Sequence, residues 1–599
     1  MVYYSVIFIS ILIFTSYLKF SLTMKKRKPL LIAGFVLAAI IILTMIGGLL
    51  ASQLAERTIR SILDDDPLHG HKIEFRKVNV NLLTFSGSIK DLTVEPEPIM
   101  FSEEVPDSLF GIPLIKASVK RVSLKNLEIV DLLFRKKLRV NAISIRSPEI
   151  NYSIPATKRE KIEQEKNEGS IMGDLDSFNL EYIEIVDGNF YLAEKGKEPF
   201  LFSDNYNLSL SGIEVIVDDK FDFTEDLSFQ KGIAQLKNNQ FLLPGELYDL
   251  KAGEISIDYS DSLLLVTEFD FIPNFSKAEF GWKNGTQTDR FDISIDTILA
   301  SDIHFSNLMK HLDIRLGSLA LAGADINIYR DKNVPFDFSK YPKLPHQSLV
   351  GLPLSLLIDS LSVNRVDLQY EELQEGGDAP GIISLTGGNI RVYNITSTEK
   401  AVNDKETMRI AGSFMLQGKA PFDMEIDLPY SQQFGEFTYR GSIGKMELRD
   451  LNSMTVPSEG INILEGNLDS FDFSMNANER YALGTARFYY HDVKIEILKK
   501  DKGIDEDHRS SSFLSSLANI ALRNDNPHRN RPGKVAIAHF LRDRNKGIVN
   551  LMVKPLIKSM VSTLTPGDRY LYDFDNAKEY ERKLEKVLKE AEKDLSNNK

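Results

Sequence analysis

Two groups of side chains in the sequence have types and spacing that could support chemistry. The first is an acidic and histidine-containing stretch, in which Asp64, Asp65 and Asp66 precede His69 and His71. Carboxylates and imidazoles are ligands for divalent cations. Three consecutive carboxylates do not converge easily on one ion, however, and no further ligands follow at a known spacing. We therefore interpret the stretch as a polar junction between two elements and predict no metal site.

The second group is His491 and Asp492, which follow Tyr489 and Tyr490. A histidine and a carboxylate can act together in acid–base catalysis. Consecutive residues of a strand point to opposite faces, so this pair is not expected to act jointly. The sequence also has no Gly-x-Ser-x-Gly motif and no glycine-rich phosphate loop. We predict a protein that is not an enzyme and uses no cofactor.

An uncharged segment, residues 29–51, follows the basic cluster 25–28. It is long enough to cross a membrane as a helix and too long for a signal peptide. Because flanking basic residues stay in the cytoplasm, the chain from Ser52 onward is predicted to lie on the far side of the membrane. A further apolar run, residues 2–18, could form a second span, or translation could begin at Met24. Both alternatives export the main body.

The composition limits the classes of function. The 599-residue chain has no cysteine, which excludes disulfides, thiolate metal sites and thiol nucleophiles. Its formal net charge of −13 argues against nucleic acid as a partner, because a phosphate-binding face needs clustered Lys and Arg. Hydrophobic residues make up 43% of the chain, which is enough for the exported part to fold.

Beyond the anchor, apolar and polar residues alternate with a period of two. Each alternating stretch predicts a strand with one apolar face, so the predicted fold is mainly β. Turn-forming sequences predict antiparallel connections between such strands. They include 187–189, 283–285 and 387–389. The only tryptophan, Trp282, is predicted to lie in the core or at a sheet edge.

A unit of two apolar half-strands around an Asn or Asp recurs without a fixed period at 122–129, 182–191 and 358–370. The tail has a different pattern. Residues 548–564 have apolar side chains at helical spacing, and Pro555 is expected to kink or limit that helix. Residues 576–595 form a charged helix candidate. Its apolar stripe comprises Leu584, Val587, Leu588 and Ala591.

These patterns divide the chain into nine segments. The N-terminal ones are 1–23, an extra apolar segment; 24–52, the transmembrane anchor; 53–156, an N-terminal β region; and 157–173, a charged linker. The remaining ones are 174–330, a central β region; 331–348, a proline-containing linker; 349–498, a C-terminal β module; 499–534, a mobile linker; and 535–599, the tail.

Several of these stretches are similar to those of one protein family. The anchor precedes a short helix at 53–63 and the strand pattern at 78–94. The next predicted strands end at the motif Ser-Pro-Glu-Ile, residues 147–150. Near the other end, 444–452 and 484–495 have the pattern of a C-terminal module. With these features the chain resembles the AsmA-like proteins of Gram-negative envelopes, which are related to TamB and to chorein-type lipid-transfer proteins. The C-terminal module resembles the Bacteroidota branch.

The resemblance implies an N-terminal transmembrane helix, an elongated antiparallel sheet folded over into an apolar groove, and a helical C-terminal tail. Such a groove would bind lipid tails by burial of apolar area, on the order of 0.8 kcal/mol per CH₂ group. The alternating side chains expected to line it are Ile255, Ile257, Phe291, Ile293, Phe422, Met424, Phe471 and Phe473.

The expected function is therefore envelope biogenesis. An inner-membrane-anchored protein in the periplasm of a Gram-negative bacterium would bind or conduct phospholipids between the inner and outer membranes. The expected partners are the membrane, phospholipid, and outer-membrane or other envelope assembly proteins. The alternative is a non-catalytic periplasmic scaffold or regulator of outer-membrane protein assembly, in which the apolar faces pack into filled sandwiches.

Overall fold

The computed structural model describes residues 29–64, 70–101, 112–126, 137–154, 177–194, 196–215, 227–243, 245–311, 313–398, 404, 406–430, 434–498, 522–529, 531–567, 570–573 and 576–597. Within these ranges the chain is mainly β, as the alternation predicts. The extra apolar segment 1–23, the basic cluster 25–28 and the charged linker 157–173 lie outside the described residues.

The described α-helices are α1 (Pro29–Asp64), α2 (Lys277–Asn284), α3 (Phe305–His311), α4 (Pro345–Val350), α5 (Asn452–Glu459), α6 (Ile548–Leu564) and α7 (Ala577–Asn597), with short 3-10 turns at Pro98–Phe101 and Leu448–Leu451. Helix α1 includes the described part of the predicted anchor and the predicted short helix at 53–63 in one continuous element. In the part of the chain that the structure describes, no helix is both long enough and apolar enough to cross a membrane.

The strands of the main sheet are rich in Val, Ile, Leu, Phe and Tyr at alternate positions, which favours extended backbone. They are β1 (His71–Glu74), β2 (Lys77–Asn81), β3 (Ser86–Pro96), β4 (Leu114–Lys125), β5 (Lys137–Ile154), β6 (Ser177–Glu194), β7 (Pro199–Ser211), β10 (Lys231–Leu242), β11 (Tyr248–Asp258), β12 (Leu263–Pro273), β13 (Asp289–Ser301), β14 (Ile314–Asp331), β15 (Leu356–Leu373), β16 (Gly381–Thr396), β17 (Thr407–Leu416), β18 (Ala420–Pro429), β19 (Phe437–Ile443), β20 (Met446–Glu447), β21 (Ile461–Ala477), β22 (Tyr481–Ile497), β23 (Lys534–Leu541) and β24 (Leu571–Asp573). A separate small hairpin pairs β8 (Glu214–Val215) with β9 (Leu227–Ser228).

The 22 strands of the main sheet pair almost entirely in chain order, from β1 and β2 at one edge to β24 at the other. Strand β7 pairs with β10, so the small hairpin is left out of the sheet. Neighbouring strands are antiparallel except for β5–β6 and β14–β15, which are parallel. The sheet is therefore mixed, and the expectation of a purely antiparallel sheet is wrong. With about 4.8 Å between strands, its roughly 20 strand positions extend over about 90 Å.

The two parallel pairs explain the two linkers between β regions. A parallel neighbour can form only if the chain returns to the end at which the previous strand began, which requires a long connection. The connections coincide with the predicted linkers 157–173 and 331–348. We call the second connection, residues 332–355, the crossover segment. Part of the crossover segment lies in the core and not on the surface, because Leu344 is 0% and His346 is 1% exposed.

A row of unusual backbone conformations crosses the sheet from β3 to β16. Residues with a positive φ angle occur inside strands at Asp91, Ser147, Asp187, Asn205, Asn238, Glu268, Gly323, Arg365 and Gly387. In the strands between them, Lys120, Gly253 and Asp296 face these residues and are left out of the ladder. We call this continuous row the seam.

The seam changes which alternate residues of a strand are apolar. In β6, Ile183 and Ile185 precede Asp187, whereas Phe190 and Leu192 follow it, so the apolar positions change from odd to even numbers. One extra residue outside the regular ladder also exchanges the faces of the sheet to which odd-numbered and even-numbered side chains point. The two changes compensate each other, and the apolar side chains on both sides of the seam stay on one face.

The predicted turns at 187–189 and 387–389 are wrong, because both sequences lie at the seam inside long strands. The recurring unit at 182–191 and 358–370 is likewise a single strand with a seam residue at its centre. The third predicted turn, 283–285, closes α2, with Gly285 at a φ of 83°.

The tail contains the two predicted helices. Helix α6 continues through Pro555, which neither limits nor ends it. Helix α7 packs through Leu584 and Val587 against β23 and Tyr572, whereas Leu588 is 39% exposed. The side chain of Ala591 lies outside the described part of the chain.

The predicted mobile linker 499–534 is described only in its last third. There Asn526 is 3% exposed and pairs with Tyr490 of β22 through both backbone groups. Its side-chain amide donates to the carbonyl oxygen of Phe488 at 2.7 Å. This part of the segment is thus an ordered extension of the sheet.

Candidate functional site

Direct cross-strand partners form long apolar rows across the sheet. The first row extends from β2 to β23, and Gly484 is its only member without a hydrophobic side chain. It comprises Val78, Ile89, Val122, Ile145, Ile185, Leu208, Ala234, Ile257, Leu264, Ala300, Leu319, Leu361, Val392, Ile410, Ile426, Tyr439, Met475, Gly484 and Ala538.

The second row lies on the other side of the seam and extends from β4 to β18. It comprises Ile115, Tyr152, Leu192, Leu201, Phe241, Leu250, Phe271, Ile293, Ile326, Leu368, Leu385, Leu416 and Ala420. Every member is hydrophobic.

Both rows lie on the same face of the sheet. Ile293 and Ile326 of the second row belong to one hydrophobic cluster with Leu361 of the first row. The centre of that cluster is fully buried and lies beside the seam, at Ile295, Ala324, Val363 and Val366. We call this continuous surface the apolar face.

The apolar face changes from half-buried to buried along the sheet. Members of the second row from β4 to β16 are all of intermediate exposure, whereas Leu416 and Ala420 on β17 and β18 are 7% and 0% exposed. Leu416 and Ala420 belong to a large core that also contains side chains of helix α6, which accounts for their burial. The principal helix contacts of the described residues involve β2, β13–β16 and β21–β24, so no described helix has a principal contact with β3–β12.

Helix α6 closes the C-terminal part of the apolar face. Leu551 and Met552 of this helix belong to the large core that includes β16–β23. Two buried hydroxyls fix the helix on the sheet: Tyr439 donates to the carbonyl oxygen of Met552 at 3.0 Å, and Tyr490 donates to that of Thr563 at 3.2 Å. Burial raises the pKa of both tyrosines, so they stay neutral donors.

The eight predicted groove residues are divided between these two parts. Ile255, Ile257, Phe291 and Ile293 are half-buried on the part between β4 and β16. Phe471 and Phe473 are 1% and 6% exposed within the core closed by α6, and Phe422 and Met424 pack against that core. The structure therefore places all eight on one face, but only the first four where that face is half-open.

Helix α1 docks on the N-terminal edge of the sheet. The backbone N–H of Val80 donates to Ser52 Oγ at 2.8 Å, and a Cβ on Gly48 would lie 3.1 Å from the Val80 carbonyl oxygen. The Arg60 guanidinium lies 4.3 Å from the centre of the Phe75 ring. Sequence reasoning missed this contact, although small residues at Gly47, Gly48 and Ser52 are the signal of a close approach.

The metal and acid–base candidates have other roles. His71 is 5% exposed, and its Nε2 accepts a hydrogen bond from the Ile115 N–H at 3.0 Å, which occupies the lone pair a metal would need. Residues 65–69 lie outside the described ranges. No group of three or more potential ligands occurs elsewhere in those ranges.

His491 and Asp492 do meet, contrary to the strand argument. Their Nδ1 and Oδ2 atoms are 2.9 Å apart, because Asp492 has a φ angle of 58° and leaves the regular strand geometry. The hydrogen bond to Asp492 raises the pKa of His491. The side chains of His491 and Asp492 are 46% and 74% exposed, so the pair is in contact with solvent.

Two half-buried ion pairs lie at the ends of β13–β15. Arg330 makes two hydrogen bonds of 2.7 Å to Asp289, and Lys332 lies 2.6 Å from Glu372. Burial alone would raise the pKa of Glu372, but the Lys332 ammonium outweighs it and holds that pKa below its usual range. These pairs close one end of the apolar face with polar side chains.

Neither a comparison with known protein families nor a comparison with curated proteins gives a match to this chain.

Proposed function

We propose that the chain is a membrane-anchored envelope protein that binds or conducts phospholipids, with acyl chains lying on the apolar face between β4 and β16. The single observation that supports this most is the second row: thirteen hydrophobic side chains, one per strand, most of them half-buried. A protein gains nothing by leaving such a surface in water, whereas each CH₂ group placed on it would contribute about 0.8 kcal/mol.

The form we propose is a groove. A sheet bent along the seam would shelter acyl chains between its two halves, and the buried cluster at Ile295 and Val366 would form its floor. The rows carry no charged side chain, so binding would depend on apolar area and would discriminate little between tail structures. Headgroups would remain at the polar rim, for example near Arg330 and Lys332.

The proposed anchor is the uncharged run 29–51, preceded by basic residues that favour a cytoplasmic N-terminal side. Helix α1 contacts β2, so the first apolar row begins beside that helix. A lipid leaving the membrane next to α1 would thus meet hydrophobic side chains at once. The proposed location is the inner membrane of a Gram-negative bacterium, with the sheet in the periplasm.

The test uses the full chain and a phospholipid with a photoreactive acyl chain. Crosslinks should map to peptides of β4–β16, and Ile293→Asp should abolish most of them because a carboxylate on the apolar face repels acyl chains. Leu299→Asp is the matched control. It changes an apolar side chain of the same strand that is 38% exposed and on the opposite face, so its crosslinks should equal those of the wild type.

Native mass spectrometry of the same proteins measures bound phospholipid directly. Loss of lipid in Ile293→Asp with an unchanged hydrogen-exchange pattern would support the groove. Wild-type protein without lipid, or equal crosslinking in both variants, would favour the alternative of a non-catalytic scaffold for outer-membrane assembly.

A further inference from the structure

The crossover segment presents aromatic and basic side chains to solvent. Phe338 is 73% and Tyr341 is 67% exposed, the two most exposed aromatic side chains of the described residues. Lys340 and Lys343 alternate with them and are also exposed. Large aromatic rings lose favourable burial in this position, so the exposure requires a reason.

This part of the crossover segment is held in place by the C-terminal region. The side-chain amide of Asn545 donates to the carbonyl oxygens of Phe338 at 2.7 Å and of Lys340 at 3.0 Å. Arg542 donates to the carbonyl oxygen of Pro342. The backbone oxygens therefore face the protein while the two rings face outward, so little conformational entropy would be lost if the rings entered an apolar medium.

Helix α6 continues the same surface. It begins three residues after Asn545, and Val549, Val553 and Ile557 are 68%, 43% and 38% exposed at a spacing of four residues. Lys554 and Lys558 lie on the same exposed side. The sequence contains no acidic residue between 547 and 566. The outer side of α6 is thus apolar and basic, while its inner side closes the core.

The surrounding charge identifies the kind of partner. The segment 542–558 contains five basic residues and one acidic residue, in a chain whose formal net charge is −13. Amphipathic aromatic rings next to lysines are typical of side chains that enter the interface of a bilayer, where lysines pair with anionic headgroups.

We propose that this docking patch, formed by Phe338, Lys340, Tyr341, Lys343, Val549 and Val553, inserts into the surface of a bilayer that contains anionic phospholipids. The proposal does not depend on acyl chains binding to the apolar face. The predicted core or sheet-edge position of Trp282 is wrong, because this residue is 56% exposed on helix α2. Helix α2 lies near the crossover segment, since Lys340 Nζ donates to Thr286 Oγ1 at 3.5 Å.

The experiment places a fluorescent reporter in the patch of the full chain. In a Trp282→Phe background, Phe338→Trp provides a single tryptophan, and vesicles of phosphatidylglycerol with brominated phosphatidylcholine quench tryptophan that enters the bilayer. Tyr393→Trp in the same background is the matched control, because Tyr393 is an aromatic residue of β16 that is 43% exposed outside the patch. Both reporters are carried by the same chain, so any association of α1 with the vesicle is common to the two proteins.

We expect quenching and a blue shift at position 338 and neither at position 393. Adding Lys340→Gln and Lys343→Gln should raise the vesicle concentration needed for half-maximal quenching by about 30-fold, from about a tenfold change per 1.4 kcal/mol and about 1 kcal/mol per lysine. Equal quenching at the two positions would overturn the proposal. It would also be overturned if quenching at position 338 stayed the same both with the two lysine substitutions and with vesicles that contain no phosphatidylglycerol. Because no step measures lipid on the apolar face, failure of the groove leaves this result unaffected.

Discussion

The contrast between the open and the closed part of the apolar face predicts unequal costs for truncating equivalent side chains. Phe473 is 6% exposed, and its ring centre lies 5.7 Å from that of Phe471 and 6.1 Å from that of Tyr439. It also covers Gly441, where a Cβ would lie 2.5 Å from the ring. Phe473→Ala should therefore leave a cavity and destabilise the C-terminal module by about 3–5 kcal/mol.

Ile293→Ala removes a side chain of the same face that is only half-buried and lies outside the core closed by α6. Complete burial would make this change cost about 2–5 kcal/mol, but a half-buried site leaves little cavity, so we expect less than about 2 kcal/mol. Leu299→Ala on the opposite face of the same strand is the control and should cost less still.

Hydrogen exchange with mass spectrometry is the appropriate assay. A sheet of 22 strands is not expected to unfold in one step, and exchange gives a local opening free energy for each strand. Equal losses of protection in Ile293→Ala and Phe473→Ala, each measured in its own region, would refute the reasoning. That result would mean that the face at β13 is as completely filled as the core beneath α6.

Three further predictions concern single sites. His346 is 1% exposed, and burial lowers its pKa to about 4 from 6.5. The opened segment therefore binds an extra proton between these values, and the local opening free energy around α4 should rise with pH across this window, by up to about 3 kcal/mol. His346→Leu should flatten this slope in hydrogen exchange measured at several pH values, and an unchanged slope would contradict the assignment. The pKa of His491, measured by NMR, should lie above 6.5 and fall in Asp492→Asn, because the amide oxygen that replaces the carboxylate is a weaker, uncharged acceptor for the imidazolium N–H; identical values in both proteins would exclude that cause. Gly323 has a φ of 67°, and a Cβ at this position would meet the Asp296 carboxylate. Gly323→Val should therefore destabilise β13–β15 by about 2 kcal/mol or more, measured as a loss of hydrogen-exchange protection in these strands. Unchanged protection would mean that a side chain is tolerated at this point of the seam.

The strands themselves could be predicted from the sequence, because alternation of apolar and polar residues is a local property. The eight predicted groove residues all lie in strands and on one face, as the period of two indicates. They are Ile255, Ile257, Phe291, Ile293, Phe422, Met424, Phe471 and Phe473. The tail helices were also predictable from their spacing. Pro555 was misleading, since a helix packed on a core can retain a proline that an isolated helix would not.

The seam shows where local reasoning ends. Asp187-Gly188-Asn189 combines turn-forming residues with a change in the parity of the apolar positions, and two short strands joined by a turn would have the same sequence pattern. Only the neighbouring strands decide between these structures. Because β5 and β7 have their own residues out of register at the same level, one long strand resumes its pairing with both of them beyond the seam.

The sequence by itself determined that this protein is a long array of amphipathic strands behind an apolar N-terminal segment, since periodicity and charge are properties of neighbouring residues. Ile293 and Phe473 have equivalent patterns in that sequence. The tertiary structure alone decided that Phe473 lies in a filled core and Ile293 on a half-open face, because α6 returns from nearly 80 residues further along the chain to cover only one of them. Burial depends on such distant segments, which no local pattern records.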